Sequence, residues 1–237
     1  MNFHSKPVQR VDYILSQCKG KKVLHLGCTN WPYTDQTLND SSLLHLKIAE
    51  CSEELYGIDA DIEGLDILTS RGYRNLYRGD LEKLAECELT GTFDVVVAGE
   101  MIEHLNNPGL FLEGVKRYLS TNSRLIITTI NAYSAMRFLM YGLRGRGGQL
   151  EPVHPDHVAY YSFSTIKLML ERHGLDLVDF LFYDIGIEHR PYNRNILNFA
   201  NDVAVKLSPQ LSDGLIVVSS NSEASSSGER EIVEKAV

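Results

Sequence analysis

No apolar run in this 237-residue chain approaches the roughly 20 residues needed to span a bilayer. The opening MNFHSKPVQRVDYILSQC is too polar for the apolar core of a signal peptide, so a cytoplasmic location is expected. Cysteine is scarce: Cys18, Cys28, Cys51 and Cys87 have no paired metal-type spacing and read as reduced thiols. Asn39-Asp40-Ser41 fits a glycosylation sequon by chance, on the expectation that the chain is not secreted. Basic residues are in deficit, with 23 Lys+Arg against 31 Asp+Glu and a net charge of −8. That balance makes nucleic acid an unlikely partner. The two glycine-rich phosphate cradles, GxGxxG and GxxxxGK[ST], are also missing, which argues against a nicotinamide dinucleotide or a nucleoside triphosphate.

What is present is an alternation of short β-rich runs with helical patterns. Val8, Val11, Ile14, Leu15 and Cys18 share one helical face, and Gly20 ends that helix. Strands are expected over Lys22–Gly27, Leu55–Asp59, Asn75–Asp80, Phe93–Glu100 and Arg124–Ile130, with helices including Leu44 to Cys51, Ile62–Arg71 and Pro108–Leu119. Strands separated by helices of this length imply right-handed crossovers and a parallel sheet covered on both faces. The pattern then breaks until Ser162. A helix over Ser164–His173 and strands over Leu175–Tyr183 and Gly214–Ser220 close the reading. One domain over residues 1–218 is expected, with Ser219–Val237 a disordered tail rich in Ser and Glu.

In an open α/β sheet, ligands bind outside the carboxyl ends of the strands. Here those ends are Gly27-Cys28-Thr29-Asn30, Asp59, Gly79-Asp80 and GEMIEHL (residues 99–105). Glycine lets backbone approach a ligand closely, and a carboxylate at Asp59 can accept from both hydroxyls of a ribose.

KVLHLGC, YGIDAD, RGDLEKL, FDVVVAGEMIEHLNNPGLFL and RLIITTINA, in that order over residues 22–131, resemble the class I S-adenosylmethionine-dependent methyltransferases. The resemblance implies a Rossmann-like, doubly wound, seven-stranded sheet whose last strand is antiparallel. It implies S-adenosylmethionine as cofactor, with S-adenosylhomocysteine as product. Carried onto this chain, Gly27, with Cys28 and Thr29, lies against the methionine part of the cofactor. Asp59, with Ala60, takes the ribose; Asp80 and Leu81 take the adenine; Gly99 and Glu100 flank the methionine moiety. Three departures stand out. His25 occupies a usually acidic position, Asn30 lies near a usual second glycine, and Ile130 replaces a common proline. The loop after Gly27 is expected to differ, with Trp31 and Tyr33 able to close over the cofactor.

Methyl transfer to a hydroxyl needs an in-line approach and a base to remove the proton. His104 and His157 are the candidate catalytic residues, as base or as orienter of the acceptor. ExxEH with a later histidine also resembles the metal site of small-RNA 2′-O-methyltransferases and some quinone-pathway O-methyltransferases, with Glu100, Glu103 and His104 expected on one helical face and His157 joining them as ligands. A divalent metal is admitted on that basis but is not the favoured reading. The segment 131–162 is expected to be an acceptor lid, with Tyr133, Tyr141, Tyr160, Tyr161, Arg137, Arg144 and Arg146; its arginines could receive an anionic substrate or form a solvated helix end. Three functions follow: O-methylation of a small-molecule or glycan acceptor, first; metal-assisted RNA 2′-O-methylation; and a non-catalytic cofactor-binding scaffold. Self-association into a homo-oligomer stays open.

Overall fold

The computed structural model describes residues 6–142, 156–184, 186, 190 and 194–221. Among these, α1 (Arg10–Cys18) precedes β1 (Lys22–Leu26), α2 (Thr34–Asn39), α3 (Leu44–Ala49), β2 (Glu54–Asp59), α4 (Ile62–Ser70) and β3 (Leu76–Arg78). A 3₁₀ stretch (Leu81–Glu86) leads to β4 (Phe93–Gly99), α5 (Pro108–Val115) and β5 (Leu119–Ile130). The single turn α6 (Ala135–Arg137), α7 (Phe163–Arg172), β6 (Leu175–Tyr183), α8 (Asn195–Leu207) and β7 (Gly214–Asn221) complete the order.

The strands form one seven-stranded sheet in the order β3-β2-β1-β4-β5-β7-β6. β1 to β5 pair in parallel, while β7 runs antiparallel to both β5 and β6. The doubly wound sheet with a single antiparallel strand is therefore the one the motifs implied. Its central strands are apolar on both sides. Leu24, Leu26, Val96, Ala98 and Ile127 pack into a core with α5 and α7. Val23, Val95, Val97 and Ile126 pack on the opposite face with Ile14 and Cys18 of α1 and Ile48 of α3. The winding direction reverses between β1 and β4, so the crevice outside their carboxyl ends is the topological switch point.

Several boundaries differ from the sequence reading. The polar stretch after Gly27 contains α2, whose entry is fixed by the hydrogen bond from Asn30 N to Thr34 Oγ1 (3.1 Å). β7 continues to Asn221 and buries Ser219 and Ser220, because Leu175 and Asp176 of β6 need partners there. Ser219–Asn221 is thus strand rather than loose tail, and residues 222–237 lie outside the described residues. α8 was not expected at all. Its buried positions include Asn201, whereas Ile196, Phe199 and Leu207 are exposed, so its apolar pattern points away from its packed face. With Tyr133 and Phe138, that exposed face lines a cavity of about 890 Å³. No helix among the described residues is long and apolar enough to cross a membrane.

Candidate active site

Gly27 follows β1 with φ of +71°, a conformation that disfavours a side chain. Its N–H donates to Ile58 O (2.9 Å), holding the turn against β2. Asp59, ending β2, is clamped by main chain: Thr29 N donates to Oδ2 (2.8 Å) and Asp61 N to Oδ1 (3.0 Å). Each carboxylate oxygen keeps a further lone pair. Cys28 is fully buried among Leu38, Leu65 and Leu68, and burial followed by the Asp59 charge pushes its thiol well up. Cys28 can therefore offer only main chain to a ligand. Ala60 is exposed beside Asp59. Asp80 is exposed and caps the following turn through Glu82 N (2.9 Å), with Leu81 buried behind it. Trp31 and Tyr33 stand in solvent, 60% and 54% exposed.

β4 delivers the second half of the site. Glu100 has φ of +54°, unusual for a residue with a side chain. That conformation is held by hydrogen bonds from its N–H to Thr128 O (2.9 Å) and Thr128 Oγ1 (3.2 Å). It also ends any helical continuation, so Glu100 does not share a helical face with Glu103 and His104. Only Ile102–His104 forms a short 3₁₀ turn. Glu100 instead accepts from the Tyr183 phenol (2.5 Å).

Glu103 is fully buried. Thr129 Oγ1 donates to its Oε2 (2.9 Å), while Oε1 has no hydrogen-bond partner among the described residues. Burial, then the Glu100 charge, push its carboxyl up to about 8. Its backbone carbonyl accepts from Val158 N (2.9 Å) and Ala159 N (3.3 Å), and this main-chain tie brings His157 to the site. The rings of His104 and His157 meet edge to face at 4.5 Å between centroids. Ligand atoms of Glu103, His104 and His157 all lie within 4.8 Å of one another. Of the four residues read as a metal set, these three are gathered, and Glu100 is engaged elsewhere.

The segment read as a lid divides. Arg137 pairs with Asp213 (3.3 Å), which also accepts from Ser134 (3.2 Å), so Arg137 braces the β7 entrance rather than facing an acceptor. Tyr161 is buried with its phenol on Ile102 O (3.4 Å). Tyr133 and Tyr160 are exposed. Arg144 and Arg146 lie outside the described residues, as does the side chain of Tyr141. Asn131 is occupied with Gln210 O and Ser212 O (both 2.8 Å).

Arg10 of α1 is a site residue that the sequence reading missed. Its Nη1 would lie 3.7 Å from a Cβ placed on Gly99, and its guanidinium lies 6.0 Å from the centre of the Tyr183 ring. It makes no ion pair or hydrogen bond among the described residues. No local sequence signal marks it; the packing of α1 over β4 brings it there.

Residues 7–179 match the family model described as "Methyltransferase domain". The chain belongs to the methyltransferase family. Relatives of this methyltransferase include proteins named ubiquinone biosynthesis O-methyltransferase. That of Pseudomonas aeruginosa is 26% identical over 195 residues, covering 78% of this chain and 75% of the relative. That of Azorhizobium caulinodans is 30% identical over 122 residues, but the match spans only 43% of the relative's length. The fold is shared with a SAM dependent methyltransferase from Archaeoglobus fulgidus (TM-score 0.56, 17% identity, 89% of this chain and 90% of that one). It is also shared with magnesium protoporphyrin IX methyltransferase from Synechocystis, solved with bound SAH (TM-score 0.54, 13% identity, 89% and 81%).

Proposed function

We propose that this enzyme transfers a methyl group from S-adenosylmethionine to a hydroxyl of a small-molecule acceptor. The observation that carries this reading is the gathering of Glu103, His104 and His157 at the end of β4, beside the strand ends where a class I methyltransferase holds its cofactor. The residues present fit that cofactor. Gly27 and Thr29 offer main chain without a phosphate cradle, which a sulfonium cofactor does not need. Asp59 is oriented for two ribose hydroxyls by the clamps on its oxygens. Asp80 and Leu81 offer an acceptor and an apolar wall for adenine. Glu100 and Arg10 present opposite charges at one strand edge, matching a zwitterionic amino-acid end.

S-adenosylmethionine supplies the electrophilic methyl group. The protein's part is to position the acceptor and remove its proton. One of the two imidazoles serves as base while its edge-to-face neighbour fixes its orientation. The relatives named for ubiquinone biosynthesis support a small acceptor with a hydroxyl; a glycan is the alternative acceptor.

A second reading has one observation in its favour. The buried, unpartnered Oε1 of Glu103, within ligand range of two imidazoles, is an arrangement a divalent cation would satisfy. Such a cation would help acidify an acceptor hydroxyl. Transfer of labelled methyl from S-adenosylmethionine to a panel of phenols, catechols and sugars tests the function. The same assay after exhaustive chelation separates the two readings. No transfer to any hydroxyl, with transfer to amines instead, would overturn O-methylation.

A further inference from the structure

The exposed side of α8 has the pattern of a helix-pairing seam. Ile196, Ala200, Val203 and Leu207 follow one another at spacings of four, three and four, which aligns them along one side of a helix for a helical partner. The packed side is the opposite one, where Asn201 and Val205 are buried. Ile196 is 73% exposed and Leu207 is 81% exposed. Phe199 beside the seam, and Phe138 and Tyr133 along the same cavity, are exposed as well. Asp202 and Lys206, the charged residues of α8, lie off the seam, so covering it buries no charge.

Aromatic rings bring about 150–250 Å² each when fully covered. With Ile196, Val203 and Leu207 added at their exposures, the face offers on the order of 800 Å², the area a standard interface takes from each partner and more than a monomer ordinarily leaves bare. A lipid surface is a poor match. The chain carries a net charge of −8, and Arg190 beside α8 is paired with Asp184 and Asp202, which weakens attraction to anionic headgroups. The chain's own remaining residues match no better. Asn221, from which residues 222–237 continue, lies across from Leu175. The cavity sits at the opposite edge of the sheet, where Gly214 lies across from Ile130. In the stretch 143–155 the large apolar residues are Leu143, Leu150 and Val153, too few to cover a face of this size.

We propose that α8 pairs with α8 of a second copy of this chain, antiparallel about a twofold axis. An axis midway between Asn201 and Asp202 sets Ile196 against the partner's Leu207 and Ala200 against the partner's Val203. Both contacts repeat on the other side of the axis, so apolar layers close the whole seam, and the small Ala200 makes room for Val203. Antiparallel pairing also sets the positive N-terminal end of each helix beside the negative C-terminal end of the other, whereas parallel pairing aligns like ends. Ala132 and Tyr133, which follow β5 directly, line the same cavity, so the interface adjoins the carboxyl end of β5.

Sedimentation velocity of the full chain tests the pairing. The wild type is expected to form a dimer with a dissociation constant of about 10 µM or tighter. Leu207→Glu changes a side chain that stands in solvent in the single chain, so melting should match the wild type. Its dissociation constant should rise about tenfold or more, and Ile196→Glu, at the other end of the same contact, should do the same. A wild type that stays monomeric up to about 100 µM, or a dimer that neither variant weakens, overturns the proposal. Cosedimentation of a monomeric wild type with phosphatidylcholine–phosphatidylglycerol vesicles would overturn it in favour of lipid. Direction is read by cross-linking under mild oxidation, with the wild type and its native cysteines as control. Ala200→Cys mixed with Val203→Cys should give a disulfide-linked dimer that neither variant gives alone. Linkage of each variant to itself, with none between them, overturns the antiparallel arrangement. If neither Glu variant melts cooperatively, the cross-link decides: a mixed disulfide supports the proposal, and its absence overturns it.

Discussion

The phenol of Tyr183, at the end of the outermost strand β6, donates a 2.5 Å hydrogen bond to Glu100, the residue that follows β4. Thr129 O lies 3.3 Å from the same oxygen. The far edge of the sheet thereby fixes the carboxylate at the carboxyl end of β4, which the proposal sets beside the cofactor. Tyr183→Phe removes one hydrogen bond to a charged group, worth about 1.5 to 3 kcal/mol. The melting temperature should fall, with far-UV circular dichroism unchanged, and affinity for S-adenosylhomocysteine should fall as Glu100 loses its anchor, as read by titration calorimetry.

Asp59 and Asp80 should differ in weight. Asp59 is clamped by two backbone N–H groups, so Asp59→Ala would remove the proposed ribose contact and free the Thr29 loop. Asp80 is exposed and secures only its own turn. A loss in affinity for S-adenosylhomocysteine larger for Asp59→Ala than for Asp80→Ala is expected in the same titration.

His104→Ala and His157→Ala should each lower the rate of methyl transfer by roughly 10²- to 10⁴-fold, the usual span for a general base. Cofactor affinity should stay within about threefold if, as proposed, both imidazoles serve the acceptor. Single-turnover transfer assays alongside calorimetry would read the two effects separately.

If a cation sits among Glu103, His104 and His157, Mn²⁺ should raise the melting temperature of the wild type and leave that of His157→Ala unmoved, since ligand binding stabilises only a chain that has the site. An equal response from both proteins would leave the imidazoles as bases alone.

The buried imidazoles make stability depend on acid. Burial holds His45 down to about 4, against an ordinary value of 6.5, and His25 moves in the same direction. Between those limits the unfolded chain takes up a proton that the folded chain refuses, so stability is retained above pH 6.5 and lost as pH falls towards 4. For His45 alone the loss is on the order of 3 kcal/mol. Melting temperatures measured between pH 7 and 4.5 should fall for the wild type and fall less steeply for the His45→Asn variant.

The strand ends were legible because each is a local motif: an apolar run, then glycine or aspartate at a fixed place. Glu103 and His104 were legible for the same reason. Arg10 was not, since nothing local links α1 to Gly99; only the packing of α1 over β4 does. Glu100 was assigned to a helical face from spacing, and its positive φ removes it from that face. α8 escaped because its exposed side carries Ile196, Phe199 and Leu207 while its packed side buries Asn201, which donates to Asp184 (3.0 Å). Periodicity reports where apolar residues lie, and here that differs from where the core lies.

The placement of β7 between β5 and β6 governs the order in which a growing chain can complete itself. β6 is synthesised before β7, yet among the described residues β7 is the one strand it pairs with, apart from the isolated bridge of Tyr183 to Val8. Until Gly214–Asn221 has left the ribosome, β6 lacks the ladder that ties it to the sheet and sets Tyr183 against Glu100. A nascent chain can build the Asp59 half of the crevice early, but the anchor of Glu100 arrives only with β7.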